Sequence, residues 1–198
     1  MLEIDTPQGP ARAHLHAVAE PVAALVLGHG AAGGVTAADL VAVTDVARSA
    51  GLSVALVEQP YRVAGRRSPA PAQRLDAAWT AVVEHLRGGE LRGLPLIAGG
   101  RSAGARVACR TAAECDAVAV LCLAFPLHPP GRPAKTRQAE LDAVRVPTLV
   151  VQGARDPFGM PAGSATCKVI AVPGNHSLKT DLEAVAEAVR SWLPRIVS

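Results

Sequence analysis

The sequence predicts a doubly wound α/β fold, in which a mostly parallel β-sheet carries helices on both faces. Short apolar runs read continuously instead of alternating with polar residues, which is typical of parallel strands covered on both faces. Amphipathic helical segments lie between these runs, so strands and helices alternate along the chain. The chain has 198 residues, of which 49% are hydrophobic. Because this length suits one domain, we expect residues 1–198 to form a single domain.

Six apolar runs are the predicted buried strands. They cover residues 24–27, 54–57, 96–98, 118–123, 148–152 and 169–172, and residues 12–18 are a candidate edge strand. Ligands bind outside the carboxyl ends of such strands, so the residues that follow each run are the ones to inspect for a site.

The predicted helices have recognisable ends. Thr36 to Asp39 resembles a capping box, and the helix that it would start would end at Gly51. Apolar residues on one helical face mark a second helix over residues 75–86 and a C-terminal helix over residues 178–192.

The composition excludes several functional classes. A net charge of +3 and an aromatic content of 3% do not indicate a nucleic-acid partner, and no apolar run is long enough to span a membrane. The four cysteines show no C-x-x-C spacing, and no third ligand accompanies His14 and His16, so we expect no metal site. We expect no cofactor. The first residues lack the apolar core of an export signal, so we expect a cytoplasmic protein.

A candidate nucleophile follows the third strand. Residues 99–105 read Gly-Gly-Arg-Ser-Ala-Gly-Ala and contain the pattern G-x-S-x-G, with Ser102 at its centre. A serine on a sharp strand-to-helix turn presents its hydroxyl at the edge of the sheet. Side chains two residues before and after it would collide, which explains Gly100 and Gly104. The same pattern also fits a glycine-rich turn with a capping serine.

An acid and a histidine each follow a later strand, so that serine, acid and histidine come in that order along the chain. Asp156 follows the strand at 148–152, and His176 follows the strand at 169–172. We predict that Ser102 attacks an acyl carbon while His176 accepts its proton, and that Asp156 orients the imidazole. The alternatives are an Asp-Pro turn residue for Asp156 and a helix-start residue for His176.

The loop after the first strand offers the rest of an oxyanion hole. The backbone N–H groups of Ala31 and Ala103 are the predicted donors, and Ala32 is the alternative to Ala31. His29, in the same loop, is either a rival base and substrate contact or a brace for the backbone. His128, which follows another strand, either lines the substrate site or packs within its own loop.

Two loops at the rim of the predicted site are rich in basic residues. Residues 58–71 and 125–137 hold six basic side chains against one acid, Glu58, and Arg101 lies beside the nucleophile. The six are Arg62, Arg66, Arg67, Arg132, Lys135 and Arg137. They would either attract a small acyl substrate that carries a negative charge, with Arg101 as a substrate contact, or simply solvate exposed loops.

The same first loop also matches a dinucleotide-binding fingerprint. Gly28 to Gly33 reads G-x-G-x-x-G, and Glu58 closes the next strand where a ribose-binding acid would stand. This interpretation is weaker because the following helix begins only near Thr36, too far along for its N-terminus to hold a phosphate.

On these residues, the chain resembles the α/β-hydrolase superfamily over nearly its full length. Three longer strings narrow the resemblance: Gly-Gly-Arg-Ser at 99–102, Phe-Pro-Leu-His-Pro-Pro-Gly at 125–131 and Gln-Gly-x-x-Asp-Pro-Phe-Gly at 152–159. They are similar to a small lidless subgroup that contains a testis-expressed protein and a histone-acetyltransferase-complex subunit, related in outline to dienelactone hydrolase. The resemblance implies the α/β-hydrolase fold without a lid domain, with Ser102, Asp156 and His176 as nucleophile, acid and base. Because some members of the subgroup are scaffolds, a non-catalytic binding protein stays an alternative to an esterase.

Overall fold

The computed structural model describes residues 1–31 and 33–197, and an eight-stranded β-sheet forms the centre of this part of the chain. The strands are β1 (Leu2–Ile4), β2 (Ala11–His16), β3 (Ala23–Gly28), β4 (Leu52–Glu58), β5 (Leu96–Arg101), β6 (Ala119–Leu123), β7 (Thr148–Gly153) and β8 (Cys167–Val172). Their order in the sheet is β1-β2-β4-β3-β5-β6-β7-β8. Strands β3 to β8 are parallel, whereas β1 and β2 pair antiparallel. The predicted mostly parallel sheet is confirmed.

Helices cover both faces of this sheet, as predicted. They are α1 (Ala38–Ser49), α2 (Pro60–Val63), α3 (Ala72–Gly88), α4 (Ala103–Thr111), α5 (Gln138–Asp142) and α6 (Leu182–Arg190), followed by a 3₁₀ turn (Leu193–Arg195). Apolar residues of α3, α4 and α5 form one core on one face, and those of α1 and α6 form a second core on the other. Within β3 the side chains alternate between these cores: Val26 belongs to the first, and Leu25 and Leu27 belong to the second. All three are fully buried, which explains the continuous apolar run in the sequence.

The start of α1 differs from the prediction. The N-cap residue is Ala37, and no side chain caps the helix, so the capping box predicted for Thr36 and Asp39 is wrong. The reason is tertiary: the Asp39 carboxylate lies 2.8 Å from the guanidinium Nε of Arg101 on β5. One carboxylate oxygen thus faces the distant cation, while the other accepts from the Leu40 N–H at 3.1 Å. The end of the helix agrees with the prediction, since Gly51 follows α1 with a φ of 81°.

The two ends of the molecule contain further differences. The edge strand predicted at residues 12–18 forms as β2, at Ala11–His16. The three-residue strand β1, which lies outside it in the sheet, was not predicted. The C-terminal helix begins at Leu182, because Asp181 caps it by accepting a hydrogen bond from the Ala184 N–H. Leu178 therefore lies before the helix, in the loop that carries His176.

The connection from β6 to β7 starts at the carboxyl edge of the sheet, where a lid domain would be inserted. Residues 124–147, which join β6 to β7, contain only the five-residue helix α5 as regular structure, so this connection carries no lid domain. Within the described ranges, no helix combines the length and apolar character that a membrane span requires.

Candidate active site

Ser102 occupies a strained turn between β5 and α4. Its φ of 53° and ψ of −108° lie in a region of backbone conformation that residues other than glycine rarely adopt. A Cβ at Gly100 would lie 2.7 Å from the carbonyl carbon of Gly104, and a Cβ at Gly104 would lie 2.4 Å from the carbonyl oxygen of Gly28. Both distances are shorter than atoms tolerate, so glycine is required at both positions. This turn lifts the serine hydroxyl away from the sheet.

His176 lies between Ser102 and Asp156 and bonds to both. Its Nε2 is 2.9 Å from Ser102 Oγ, and its Nδ1 is 2.8 Å from Asp156 Oδ2. A carboxylate only accepts hydrogen bonds, so Nδ1 carries the proton and donates it, and Nε2 is left to accept the serine O–H. The Asp156 side chain is 1% exposed, whereas that of His176 is 17% exposed. The arrangement can move a proton from the serine to the imidazole.

Asp156 is held by two donors from its own strand and loop. Gln152 on β7 donates from Nε2 to Asp156 Oδ2 at 2.9 Å, and the backbone N–H of Phe158 donates to Oδ1 at 2.8 Å. The Phe158 ring also stacks on the His176 imidazole, with centroids 4.0 Å apart. The sequence reasoning assigned no role to Gln152 or Phe158. Both lie in the string Gln-Gly-x-x-Asp-Pro-Phe-Gly, which could have identified them.

The loop that carries His176 lies directly against the end of β7. A Cβ at Gly153 would lie 2.4 Å from the carbonyl oxygen of Asn175, so only glycine allows this approach. Leu178 closes the loop with a φ of 52° and a fully buried side chain. A strained but anchored loop therefore presents the imidazole.

Arg101 bonds to protein groups beside Ser102, and its contact with substrate stays a prediction. Its guanidinium pairs with the buried Asp39, and its Nη2 donates to the carbonyl oxygen of His176 at 2.9 Å. Only 15% of the side chain is exposed. Folding has turned this cation inward, where it holds neighbouring segments together.

His29 also serves its own loop. The Gln59 backbone N–H donates to its Nε2 at 3.1 Å, so Nδ1 carries the ring proton and donates to the Gly30 carbonyl at 2.8 Å. Burial lowers the pKa of His29 and keeps the ring neutral. With 2% exposure and both ring nitrogens occupied, His29 is neither a base for Ser102 nor a substrate contact. It is the brace that the sequence left as an alternative.

The residues predicted for the oxyanion hole lie around Ser102. Ala103 begins α4, where backbone N–H groups lack partners within the helix. Across from it, a Cβ at Gly30 would lie 3.5 Å from the Ser102 Cβ, which places the loop with Ala31 beside the serine. Tyr61 holds that loop by donating its hydroxyl to the Ala31 carbonyl at 3.1 Å. The alternative donor, Ala32, lies outside the described residues. The two donors stay predictions.

His128 packs against the loop of the acid. Its backbone N–H donates to the Phe158 carbonyl at 3.0 Å, and its Nδ1 lies 3.0 Å from the Pro129 carbonyl. A Cβ at Gly159 would lie 2.6 Å from the His128 ring. These contacts agree with the packed loop histidine rather than with a residue directed at Ser102.

The structure does not favour the dinucleotide interpretation. Helix α1 begins at Ala38, well beyond Gly33, so its N-terminus does not meet the glycine loop. Gly28 is needed for packing, because a Cβ there would lie 3.2 Å from the Gly104 Cα. Glu58 pairs with His14 at 3.0 Å instead of standing free for a ribose.

The cavity beside the serine turn is small, and the cysteine thiols are poor candidates for a nucleophile. The cavity between the first loop and α4 has a volume of about 10 Å³, roughly the space of one water molecule. All four cysteines are buried and unbridged, and burial raises the pKa of Cys115 and Cys167 to about 11. Thiols of this kind are poor nucleophiles at neutral pH.

Comparisons place the chain among α/β-hydrolases. The sequence profile of the alpha/beta hydrolase domain family matches residues 21–190, and no curated protein shows significant sequence similarity to the chain. A serine hydrolase without a lid from Xanthomonas campestris has a TM-score of 0.82 at 20% identity, over 98% of this chain and 93% of that one. Est1E from Butyrivibrio proteoclasticus, with bound ferulic acid, scores 0.81 at 17% identity, over 100% of this chain and 99% of that one. Dienelactone hydrolase from Anabaena variabilis scores 0.76 at 17% identity, over 100% and 97%. These similarities confirm the predicted fold.

Proposed function

The chain belongs to the alpha/beta hydrolase family, and from this premise we propose that it is a serine hydrolase of small esters, thioesters or lactones. The observation that carries the proposal is the continuous hydrogen-bonded chain from Ser102 through His176 to Asp156, with a strained serine at its open end. Three side chains from separate loops have no structural need to meet in this order, whereas a nucleophile, its base and an orienting acid do.

In the first half of the proposed reaction, Ser102 Oγ attacks the acyl carbon and its proton passes to His176 Nε2. The negative charge that develops on the carbonyl oxygen is met by the N–H groups of Ala103 and Ala31. The C–O bond to the leaving alcohol then breaks, and the imidazolium returns the proton to that alcohol. Asp156 stays ionised throughout and stabilises the cation.

In the second half, a water molecule hydrolyses the acyl-enzyme. His176 accepts one water proton while the oxygen attacks the acyl carbon, and the proton then returns to Ser102 Oγ as the ester bond breaks. The products are the carboxylic acid and free enzyme, so atoms and charge balance.

The open surface around the serine supports this substrate class. The connection after β6 carries no lid, and the adjacent cavity is too small for an acyl chain. Small or extended acyl groups that lie across the surface therefore suit the site. The ferulic acid bound to the similar Est1E is a small carboxylic acid of this kind. We also propose that the chain belongs to the small subgroup that contains the testis-expressed protein. A cytoplasmic location is proposed as well, and the four unbridged thiols support it.

A negative charge on the substrate is the second part of the proposal. Four basic side chains of the rim loops are exposed: Arg66, Arg67, Arg132 and Lys135. Arg137 is not counted among the side chains that would attract the anion, because its Nη1 donates to the Pro126 carbonyl at 2.9 Å. Arg101 is not counted because it pairs with Asp39. The test compares turnover of a neutral ester and of its carboxylate-bearing analogue at low and high salt. We expect the anionic ester to be preferred at low salt and the preference to shrink with salt; a salt-independent preference for the neutral ester contradicts this part.

The proposal as a whole is tested by a fluorophosphonate probe and an activated ester. We expect the wild-type protein to be labelled and Ser102→Ala to lose labelling and roughly 10³-fold or more of turnover. Ser177→Ala is the matched control, because this neighbouring serine donates to Asn175 and not toward His176, and it should stay active. Equal turnover by Ser102→Ala would leave the non-catalytic interpretation.

A further inference from the structure

A buried ion pair lies directly behind the nucleophile. The Nε of Arg101 is 2.8 Å from the Oδ2 of Asp39, and the Asp39 side chain is 1% exposed. Arg101 is the last residue of β5 and precedes Ser102 in the chain, whereas Asp39 lies in the first turn of α1. The pair thus joins the strand that carries the nucleophile to a helix on one face of the sheet.

The same guanidinium also reaches the loop of the base. Its Nη2 donates to the carbonyl oxygen of His176 at 2.9 Å. Its Nη1 lies beside the first loop, where a Cβ at Gly30 would be only 2.8 Å away, so the glycine leaves room for it. The rigid, planar guanidinium of Arg101 therefore contacts helix α1, the first loop at Gly30 and the loop that carries His176. A lysine ammonium has no such fork, and one point charge cannot reproduce these contacts.

We propose that Arg101, with Asp39 as its counter-ion, is a positioning residue that holds His176 in register with Ser102. This inference rests on the proposed function. Because Arg101 is adjacent to Ser102 in the chain and its side chain ends on the backbone of His176, it fixes the nucleophile and the base relative to one another. The carbonyl that it binds belongs to the residue whose ring must stay within hydrogen-bond distance of the serine.

Stability alone does not account for the pair. Burial raises the pKa of Asp39 even though Arg101 lies beside it, so folding does not favour the ionised carboxylate. Replacing a buried ion pair by neutral residues often leaves stability unchanged or raises it. Geometry at the reacting groups is a different matter, since a displacement of about 1 Å can lower the rate by roughly 10²-fold.

The test separates charge from geometry with two variants. Arg101→Lys keeps a cation beside Asp39 but loses the fork, and the double variant Asp39→Asn/Arg101→Met removes both charges together. We expect both to unfold near the wild-type urea midpoint and to lose about ten- to a hundredfold in kcat on a neutral activated ester, with little change in KM. The matched control is Arg110→Lys. Arg110 lies away from the site and donates two hydrogen bonds to the carboxylate of Asp76, at 2.6 and 2.8 Å. This control should keep the wild-type kcat.

A second measurement makes the outcome independent of turnover. The proton on His176 Nδ1, bonded to Asp156, gives a downfield proton NMR resonance that Asp156→Asn identifies by removing it. We expect this resonance to be sharp in the wild type and in Arg110→Lys, and broadened or lost in Arg101→Lys and in the double variant. If the wild type shows neither turnover nor probe labelling, the proposed function fails, and the resonance still decides the role of Arg101.

Two results would overturn the inference. One is wild-type kcat together with a wild-type resonance in Arg101→Lys, or in the double variant if Arg101→Lys does not fold. The other is a rise in KM confined to the carboxylate-bearing ester, because that change would assign Arg101 to substrate binding.

Discussion

Replacing Ser102 by glycine should stabilise the protein relative to replacing it by alanine. Both variants remove the hydroxyl and its hydrogen bond to His176, so that loss cancels in the comparison. They differ in the backbone: at a φ of 53° and a ψ of −108°, a residue with a Cβ is strained and glycine is not. The difference between Ser102→Gly and Ser102→Ala therefore isolates the strain that the fold stores beneath the nucleophile.

The expected difference can be estimated from known magnitudes. A residue held in a sparsely populated backbone region costs about 1–3 kcal/mol, and glycine loses roughly 0.5–1 kcal/mol more conformational entropy on folding than alanine does. At the middle of both ranges, the net gain for glycine is about 1 kcal/mol. For a protein of this size about 2–4 °C corresponds to 1 kcal/mol, so Tm should be higher for Ser102→Gly by roughly 2–4 °C.

Urea unfolding of the two variants, with equal slopes, measures this difference. Ser191 is the matched control, because it follows α6 in ordinary helical conformation with a φ of −73°. There the sign should reverse, and Ser191→Gly should be less stable than Ser191→Ala. If Ser102→Gly is equal to or less stable than Ser102→Ala, the turn is not strained and the reasoning fails.

Three further predictions concern the surroundings of the turn. Gly104→Ala should lower the free energy of unfolding in urea by about 1–3 kcal/mol or more, because its Cβ would meet the backbone of Gly28 at 2.4 Å; unchanged stability would contradict the close approach. Burial lowers the folded-state pKa of His29 below 6.5, so the unfolded chain binds more protons and stability is lost as the pH falls below 6.5. His29→Asn should flatten that slope in urea titrations at several pH values, and an unchanged slope would refute the assignment. Gln152→Ala removes a donor from Asp156, and we expect kcat on an activated ester to fall roughly ten- to a hundredfold with the fold retained; wild-type kcat would show that Asp156 needs no such partner.

The sheet and the serine turn could be predicted because their causes are local in sequence. A strand buried on both faces must be apolar at every position, and a sharp strand-to-helix turn must have glycine two residues to either side of Ser102. Strand β1 escaped because three residues, Leu2–Ile4, are too short to show a pattern and owe their conformation to pairing with β2.

The ion pair between Asp39 and Arg101 could not be predicted, because the two residues lie far apart in the chain. Thr36 to Asp39 has the spacing of a capping box, yet the carboxylate of Asp39 pairs with Arg101, from another element. A carboxylate at a helix start can cap the helix or pair with a distant cation. The spacing of residues in the sequence reveals only the capping possibility. In the same way, adjacency of Arg101 to Ser102 in sequence does not tell on which side of the turn its side chain lies.

These inward contacts bear on how the site would choose its substrate. The polar groups nearest the serine are occupied by backbone: Arg101 by the carbonyl of His176, His29 by that of Gly30, and Gln152 by the loop of the acid. In the proposed reaction, the serine hydroxyl, one imidazole edge and the N–H groups at the start of α4 meet the substrate, and these groups would treat any acyl carbon alike. In the proposed reaction, discrimination between substrates then falls mainly to the exposed rim, because Arg101, His29 and Gln152 are engaged with the protein. Substitutions on residues 58–71 and 125–137 should therefore change KM between esters, whereas those behind Ser102 should change kcat for all of them.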